Sequence, residues 1–177
     1  MRLTFAPRGI LQIDDAKLVY RNFRGEGDKF NRPGDRNFAI IIDGGEVCER
    51  GTNVYRRVDA QEMTDILAND LNKYDVGWNV KIKPPREEGD DPFIYLGVKV
   101  RFNDRGPDIR LESGNRTVRL DEESVSCLDH IDIVCADLDI RPYDDIAQDR
   151  AFRAAYLQQM HVVQEVNRFR ERYGYDD

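Results

Sequence analysis

Residues 93 to 102, FIYLGVKVRF, alternate apolar and polar side chains at a period of two. Only a strand with one buried face satisfies that pattern, because successive side chains of a strand point to opposite sides of a sheet. Ile94, Leu96, Val98, Val100 and Phe102 would face a core, leaving Tyr95, Lys99 and Arg101 outward. WNVKIKP (78 to 84) repeats the pattern, with Trp78, Val80 and Ile82 on one face and Lys81 and Lys83 on the other. The acidic REEGDDP between them reads as a solvated hairpin connection.

Further strands follow from the same reading. Residues 9 to 23 (GILQIDDAKLVYRNF) and 37 to 43 (NFAIIID) form a hairpin whose connection is too long for a tight turn, and Gly44-Gly45 breaks the second strand. Residues 108 to 120 turn around Gly114-Asn115. IDIVCADLDIRP (131 to 142) is a strand closed by Pro142. The segment 152 to 166 can be written as strand or helix. Asp59 followed by Glu62 forms a capping box, and Met63, Ile66, Leu67, Leu71 and Tyr74 recur at helical spacing, predicting one helix over about 60 to 74. Strands with one intervening helix fit a small, partly open barrel or a sandwich.

Charge is segregated along the chain. The formal net charge is −7. From Lys17 to Phe38, six cations face three acids; from Asp121 to Asp149, ten acids face Arg141 alone. The acidic whole disfavours polyanion binding by the general surface, so a nucleic-acid site has to be a local patch. The three cysteines show no CxxC spacing and the chain has two histidines, which argues against a disulfide scaffold and a structural zinc site. No apolar run approaches a membrane span, and the N-terminus lacks the apolar centre of a signal peptide. A cytoplasmic protein with reduced thiols is expected.

Catalytic motifs are not evident: there is no GxSxG, Walker loop or HExxH. Asp137, Asp139, Asp144 and Asp145 are the one set that could hold a hard cation such as Mg²⁺ for a nuclease; the alternative is a solvated acidic strand end. The basic stretch RNFRGEGDKFNRPGDRNF (21 to 38) offers different chemistry. A single-strand groove needs cations for phosphates and aromatic rings for unpaired bases. Arg21, Arg24, Lys29, Arg32 and Arg36 supply the first, with Lys81, Lys83, Lys99 and Arg101 from the strands. Phe23, Phe30 and Tyr95 supply the second, with Trp78 as a fourth ring. The competing reading makes Phe23 and Phe38 core residues and the strand cations edge protection. No cofactor and no enzymatic step are called for.

The order of the pieces resembles a phage-encoded single-stranded-DNA-binding protein family. Its opening strand motif is matched by Ala16, Lys17, Leu18, Tyr20, Asn22 and Phe23, and its second by Phe38, Ile40, Ile42 and Asp43. GWNVKIKP, LDEESVSCLD, DLDIRPYD and AYLQQM continue the resemblance in order over most of the chain. The resemblance implies a mainly β, OB-fold-like, partly open five-stranded barrel with an inserted helix, spanning residues 1 to 168 before a short tail, 169 to 177. It implies sequence-tolerant binding of single-stranded DNA in phage replication or recombination, inside the infected bacterial cell, often as a homodimer. It also favours a strand at Ala155 to Gln164. Relatives recruit polymerase and helicase through an acidic C-terminal tail; here the tail ends RERYGYDD, diluted by Arg170 and Arg172. A phage interaction or inhibitor protein acting through its acidic surface is the other reading of the charge pattern.

Overall fold

The computed structural model describes residues 1 to 166; the expected tail lies outside them. These residues form an open, mainly β architecture with one α-helix. Its strands are β1 (Arg2–Phe5), β2 (Leu11–Asp14), β3 (Leu18–Asn22), β4 (Arg36–Ile41), β5 (Gly45–Cys48) and β6 (Arg56–Val58). After helix α1 (Ala60–Ala68) come β7 (Val80–Lys83), β8 (Phe93–Val100), β9 (Asp108–Ser113), β10 (Arg116–Leu120), β11 (Ile133–Ala147) and β12 (Arg150–Gln164). All twelve belong to one connected sheet, in place of the five strands expected, with the main path β3-β4-β8-β12-β11-β2-β1-β5-β6. Among the described residues no helix is long and apolar enough to cross a membrane.

The alternation in 93 to 100 is realised as read. Ile94, Leu96, Val98 and Val100 are buried, while Lys99 is exposed and Tyr95 half-buried. Their inward face packs with Leu3, Leu11, Ile13, Ile40, Met63, Leu67 and Ile140 in a single hydrophobic core. The ambiguous C-terminal segment is a strand, paired along nearly its whole length with β11 in a long antiparallel hairpin.

Three boundaries depart from the expectation, each for a local reason. The strand expected over 9 to 23 is broken at Asp15, which takes a left-handed φ of 55° and donates its N–H to the Asp137 carboxylate at 2.9 Å. Helix α1 starts as read, its N-cap Asp59 accepting from the Glu62 N–H at 2.8 Å, but it stops at Ala68 rather than near 74. There the Asn69 side chain donates to the Asp65 carbonyl, and the Asn72 side chain accepts from Tyr74 and Val76 N–H, competing with helical bonding. β11 does not end at Pro142 but runs on to Ala147. Its pairing with β2 stops at Ile140, so among the described residues Pro142 meets no further strand on that edge, where a missing N–H costs no ladder bond.

The loop from 23 to 35 is an ordered extension of the β3–β4 hairpin. Its base is clasped by Asp129, whose carboxylate accepts the Phe23 and Arg24 N–H groups at 2.7 and 3.0 Å. Gly25 has φ +71° and a Cβ there would sit 3.1 Å from the Gly34 backbone, so the two sides of the loop meet at van der Waals distance. Asn31 donates to the Glu26 and Asp35 carbonyls at 2.9 Å each, and Asp28 bonds the Phe30 N–H at 2.7 Å. The two phenylalanines have opposite fates: Phe23 is fully buried and stacked on Phe38 at 5.1 Å, whereas Phe30 at the tip is 86% exposed.

Pairing of β2 with β11 crowds the carboxylates of Asp14, Asp137 and Asp139 together. Burial first, and then the Asp137 carboxylate, push the Asp14 carboxyl upward; burial and Asp14 do the same to Asp139. A carboxyl raised in the folded state favours folding when protonated, so its contribution is lost as pH rises through the raised value. Asp139→Asn is therefore expected to raise the melting temperature at pH 7, with the gain vanishing as pH falls toward about 4; thermal unfolding at both pH values checks this, and a loss at pH 7 would contradict it. The two loop rings give a second test by calorimetry or denaturant titration. Phe23→Ala is expected to cost about 3–5 kcal/mol, and Phe30→Ala within about 0.5 kcal/mol of nothing.

Candidate nucleic-acid interface

The outer face of β4, β8 and β12 floors a groove of about 1020 Å³, overhung by the tip of the 23 to 35 loop. Its two sides carry aromatic clusters. On one side the rings of Tyr20, Phe93 and Tyr95 stand 5.6 to 6.0 Å apart, centroid to centroid. The Lys83 ammonium lies 4.9 Å over Tyr20 and 5.4 Å over Tyr95. On the other side Tyr143 is 6.1 Å from Tyr156 and 6.2 Å from Phe152. Lys99 and Arg141 sit over Tyr156 at 6.0 and 5.4 Å. Each cluster thus presents rings for stacking and a cation close to them, the two parts that hold single-stranded nucleic acid.

Strand register explains the grouping. Tyr95 and Lys99 are two steps either side of Gly97 on the outward face of β8, and Lys81 of β7 pairs with Tyr95. Phe152, Ala154 and Tyr156 alternate on β12, facing register partners Asp145, Tyr143 and Arg141 on β11. Tyr20 owes its position to backbone geometry. The β3–β4 pairing has a bulge between Val19 and Asn22, and Tyr20 within it has φ 51°, a conformation that costs a bulky residue about 1–2 kcal/mol. The bulge re-aims the ring, 57% exposed, toward Lys83 and Tyr95.

The structure gathers some of the residues singled out in the sequence and assigns others elsewhere. Phe30, Arg36, Lys81, Tyr95, Lys99 and Arg101 line the groove, and Lys83 caps one aromatic cluster. Arg24, Lys29 and Arg32 project from the exposed loop, with Lys29 5.0 Å over the Phe30 ring. Phe23 is a correction: its ring belongs to the core and presents no face to a ligand. Trp78 is another, being 3% exposed with its indole N–H donating to Asp70 at 3.0 Å and Arg153 stacked on its ring at 4.9 Å. Arg21 donates to the Leu128 and Ile131 carbonyls, both at 2.8 Å, and so fastens β3 to the neighbouring turn. Arg36 pairs with Glu122 at 3.3 Å while its guanidinium lies 5.6 Å from the Phe102 ring.

Tyr20, Phe93, Tyr143, Phe152, Tyr156 and Arg141 escaped the sequence reading. The alternation Phe152, Ala154, Tyr156 carries the signal for two of them, legible once the segment is known to be a strand; the bulge that turns Tyr20 outward leaves no mark in residue types.

The four aspartates considered for metal chemistry are dispersed. Asp137 accepts from Asp15 N–H, and Asp145 takes the Tyr143 hydroxyl at 3.0 Å. Burial would raise the Asp144 carboxyl, but hydrogen bonds from Arg153 and Asn72, both at 2.8 Å, outweigh it and hold the group below its usual range. Among the described residues no three His, Cys, Asp or Glu side chains are grouped to hold a metal ion.

Comparison with known proteins gives the groove a context. Three solved structures of the single-stranded DNA-binding protein from bacteriophage Enc34 share the fold. One of them superposes with a TM-score of 0.51 at 12% identity, covering 100% of this chain and 97% of that one. The C-terminal truncation gives 0.52 at 8%, covering 92% and 88%. The form described as in complex with ssDNA gives 0.51 at 11%, covering 92% and 90%. A search of curated proteins finds no match. The family described as "Putative phage ssDNA-binding domain" matches residues 3 to 175. With nearly the whole sequence inside that match, the chain belongs to the phage ssDNA-binding domain family.

Proposed function

We propose that the groove binds single-stranded DNA without strong sequence preference. The observation that carries this reading is the pair of solvent-accessible aromatic clusters, each with a cation at its rings, on either side of one sheet face and beneath a loop that presents Arg24, Lys29 and Arg32 and is tipped by Phe30. Every base has a π face, so ring stacking holds a strand regardless of sequence at about 1–3 kcal/mol per base. Lys81, Lys83, Lys99 and Arg101, with Arg24, Lys29 and Arg32 on the loop, would meet phosphates. Because the loop is already tied by Asp129 and Asn31, less of the ordering cost falls due on binding.

Family membership and the likeness to a phage protein determined with ssDNA support placing this activity in replication or recombination of phage DNA, in the cytoplasm of an infected bacterium. On this reading the domain spans residues 1 to 168, assembles as a homodimer and serves polymerase and helicase by covering exposed template.

Fluorescence anisotropy with a labelled oligo-dT, titrated at about 50 and 200 mM salt, tests the proposal. Tight binding that weakens with salt is expected, with log K falling by about 0.7 per phosphate contacted for each tenfold rise in salt. Phe30→Ala and Tyr156→Ala should each weaken binding about 5- to 150-fold, the equivalent of one lost stack. Lys99→Ala should make the salt slope shallower by about 0.7. No binding at the lower salt would refute the proposal.

A further inference from the structure

Gly97 sits in the interior of β8, facing outward at the centre of the groove floor. A strand interior disfavours glycine, which has no side chain to pack and the most conformational freedom to lose. Three circumstances ordinarily account for one: a left-handed φ or bulge, a neighbour too close for a Cβ, or a ligand lying against the backbone. The first does not hold, since Gly97 is absent from the positive-φ residues and its pairing with β4 runs without a shift from Arg36↔Val100 to Ile41↔Tyr95. The second does not hold either, because a Cβ at Gly97 would meet no atom within 4 Å. The glycines elsewhere differ: at Gly27 a Cβ would lie 2.6 Å from the Pro33 ring, at Gly77 2.1 Å from the Ala68 carbonyl oxygen, and the remaining described glycines other than Gly97 have left-handed φ. Gly97 alone among the described residues answers to neither demand of the fold.

The surroundings indicate what approaches. Ala39 is the register partner of Gly97 on β4, and Ala154 lines the groove on the β12 side. The floor is therefore low: the bare backbone of Gly97 is exposed, the Ala154 methyl is half-buried, and Ala39 is small enough to be covered by its neighbours, 3% exposed. Tyr95 and Lys99 rise two residues to either side, each about 6.6 Å along the strand. An apolar floor beside an aromatic ring suits the flat face of a base; the cations stand at the rims, where phosphates would run.

Building on the single-strand reading above, we infer that Gly97 is the floor of a nucleobase slot, in which one base of the bound strand lies against β8 between Tyr95 and Lys99. Glycine is required there by the ligand and not by the fold.

The test is a series, Gly97→Ala, Gly97→Val and Gly97→Leu, assayed for thermal unfolding and for binding at low salt to oligo-dT and to an abasic oligonucleotide of equal length. Melting temperatures equal to or above that of the unsubstituted protein are expected throughout. Affinity for oligo-dT should fall progressively with side-chain size, at least tenfold for leucine, while affinity for the abasic strand stays within twofold. Undiminished oligo-dT binding by Gly97→Leu would overturn the slot while leaving the single-strand reading intact. An equal loss with the abasic strand would overturn it too, by placing the sugar-phosphate chain against Gly97. Failure of the unsubstituted protein to bind oligo-dT would remove the single-strand reading and the slot together.

Discussion

The β11–β12 ribbon is the constraint on which the rest of the sheet depends. β2 attaches to one of its edges, β9 runs parallel to the other, and β8 joins through the register pair Tyr156↔Lys99. The groove exists because β8 and the ribbon meet at that point and diverge elsewhere. Phe152 and Tyr156 of the ribbon line the groove beside β4 and β8, and the Tyr143 ring packs against both. Topology thus brings rings from β3, from β8 and from the distant β11–β12 ribbon to one groove.

An acidic protein with a polyanion-binding face has to keep its opposite charges apart. Here the separation is structural as well as sequential. Loop and strand cations gather about the groove, while Asp14, Asp137 and Asp139 crowd together where β2 meets β11. Asp35 and Glu122 line the groove among these cations, and Glu122 is the instructive one. Glu122 reaches into the groove and pairs with Arg36, whose Nε is buried without a hydrogen-bond partner. One carboxylate therefore stands at a guanidinium that the remaining charge pattern would offer to phosphate, and any anion arriving there displaces an existing partner.

The regular part of this architecture was legible in residue order. Period-two alternation placed β8 and its two faces correctly, and the Asp59–Glu62 pair located the start of α1, because both are consequences of local geometry. What stayed hidden depends on contacts between distant segments. Phe23 and Phe30 lie in one loop and look alike, yet Asp129, more than a hundred residues away, pulls the base of the loop down and buries the first while the second stays free. Trp78 looked like a stacking residue until Arg153 and Asp70 enclosed it. Tyr20 joined the site only through a backbone bulge. The alternation of Phe152, Ala154 and Tyr156 was visible but mute, since a segment readable as helix or strand assigns its faces differently in each case.

Arg153 has a mechanical meaning beyond its place under the groove. Its Nε donates to Asp144 within the ribbon, its Nη1 donates to the Asp70 carbonyl at 2.6 Å, and its plane lies against Trp78. Beyond Arg141 and its partner Tyr156 the ribbon pairs with no further strand among the described residues, and two side chains tie this far half to the segment following α1: the Arg153 guanidinium and the Asn72 amide, which donates to Asp144 at 2.8 Å. The far half of the ribbon is accordingly held against its neighbours by side-chain contacts and not by a continuous hydrogen-bonded ladder. Side-chain contacts break singly whereas a ladder is lost cooperatively, so local opening of this half of the ribbon leaves the rest of the sheet paired.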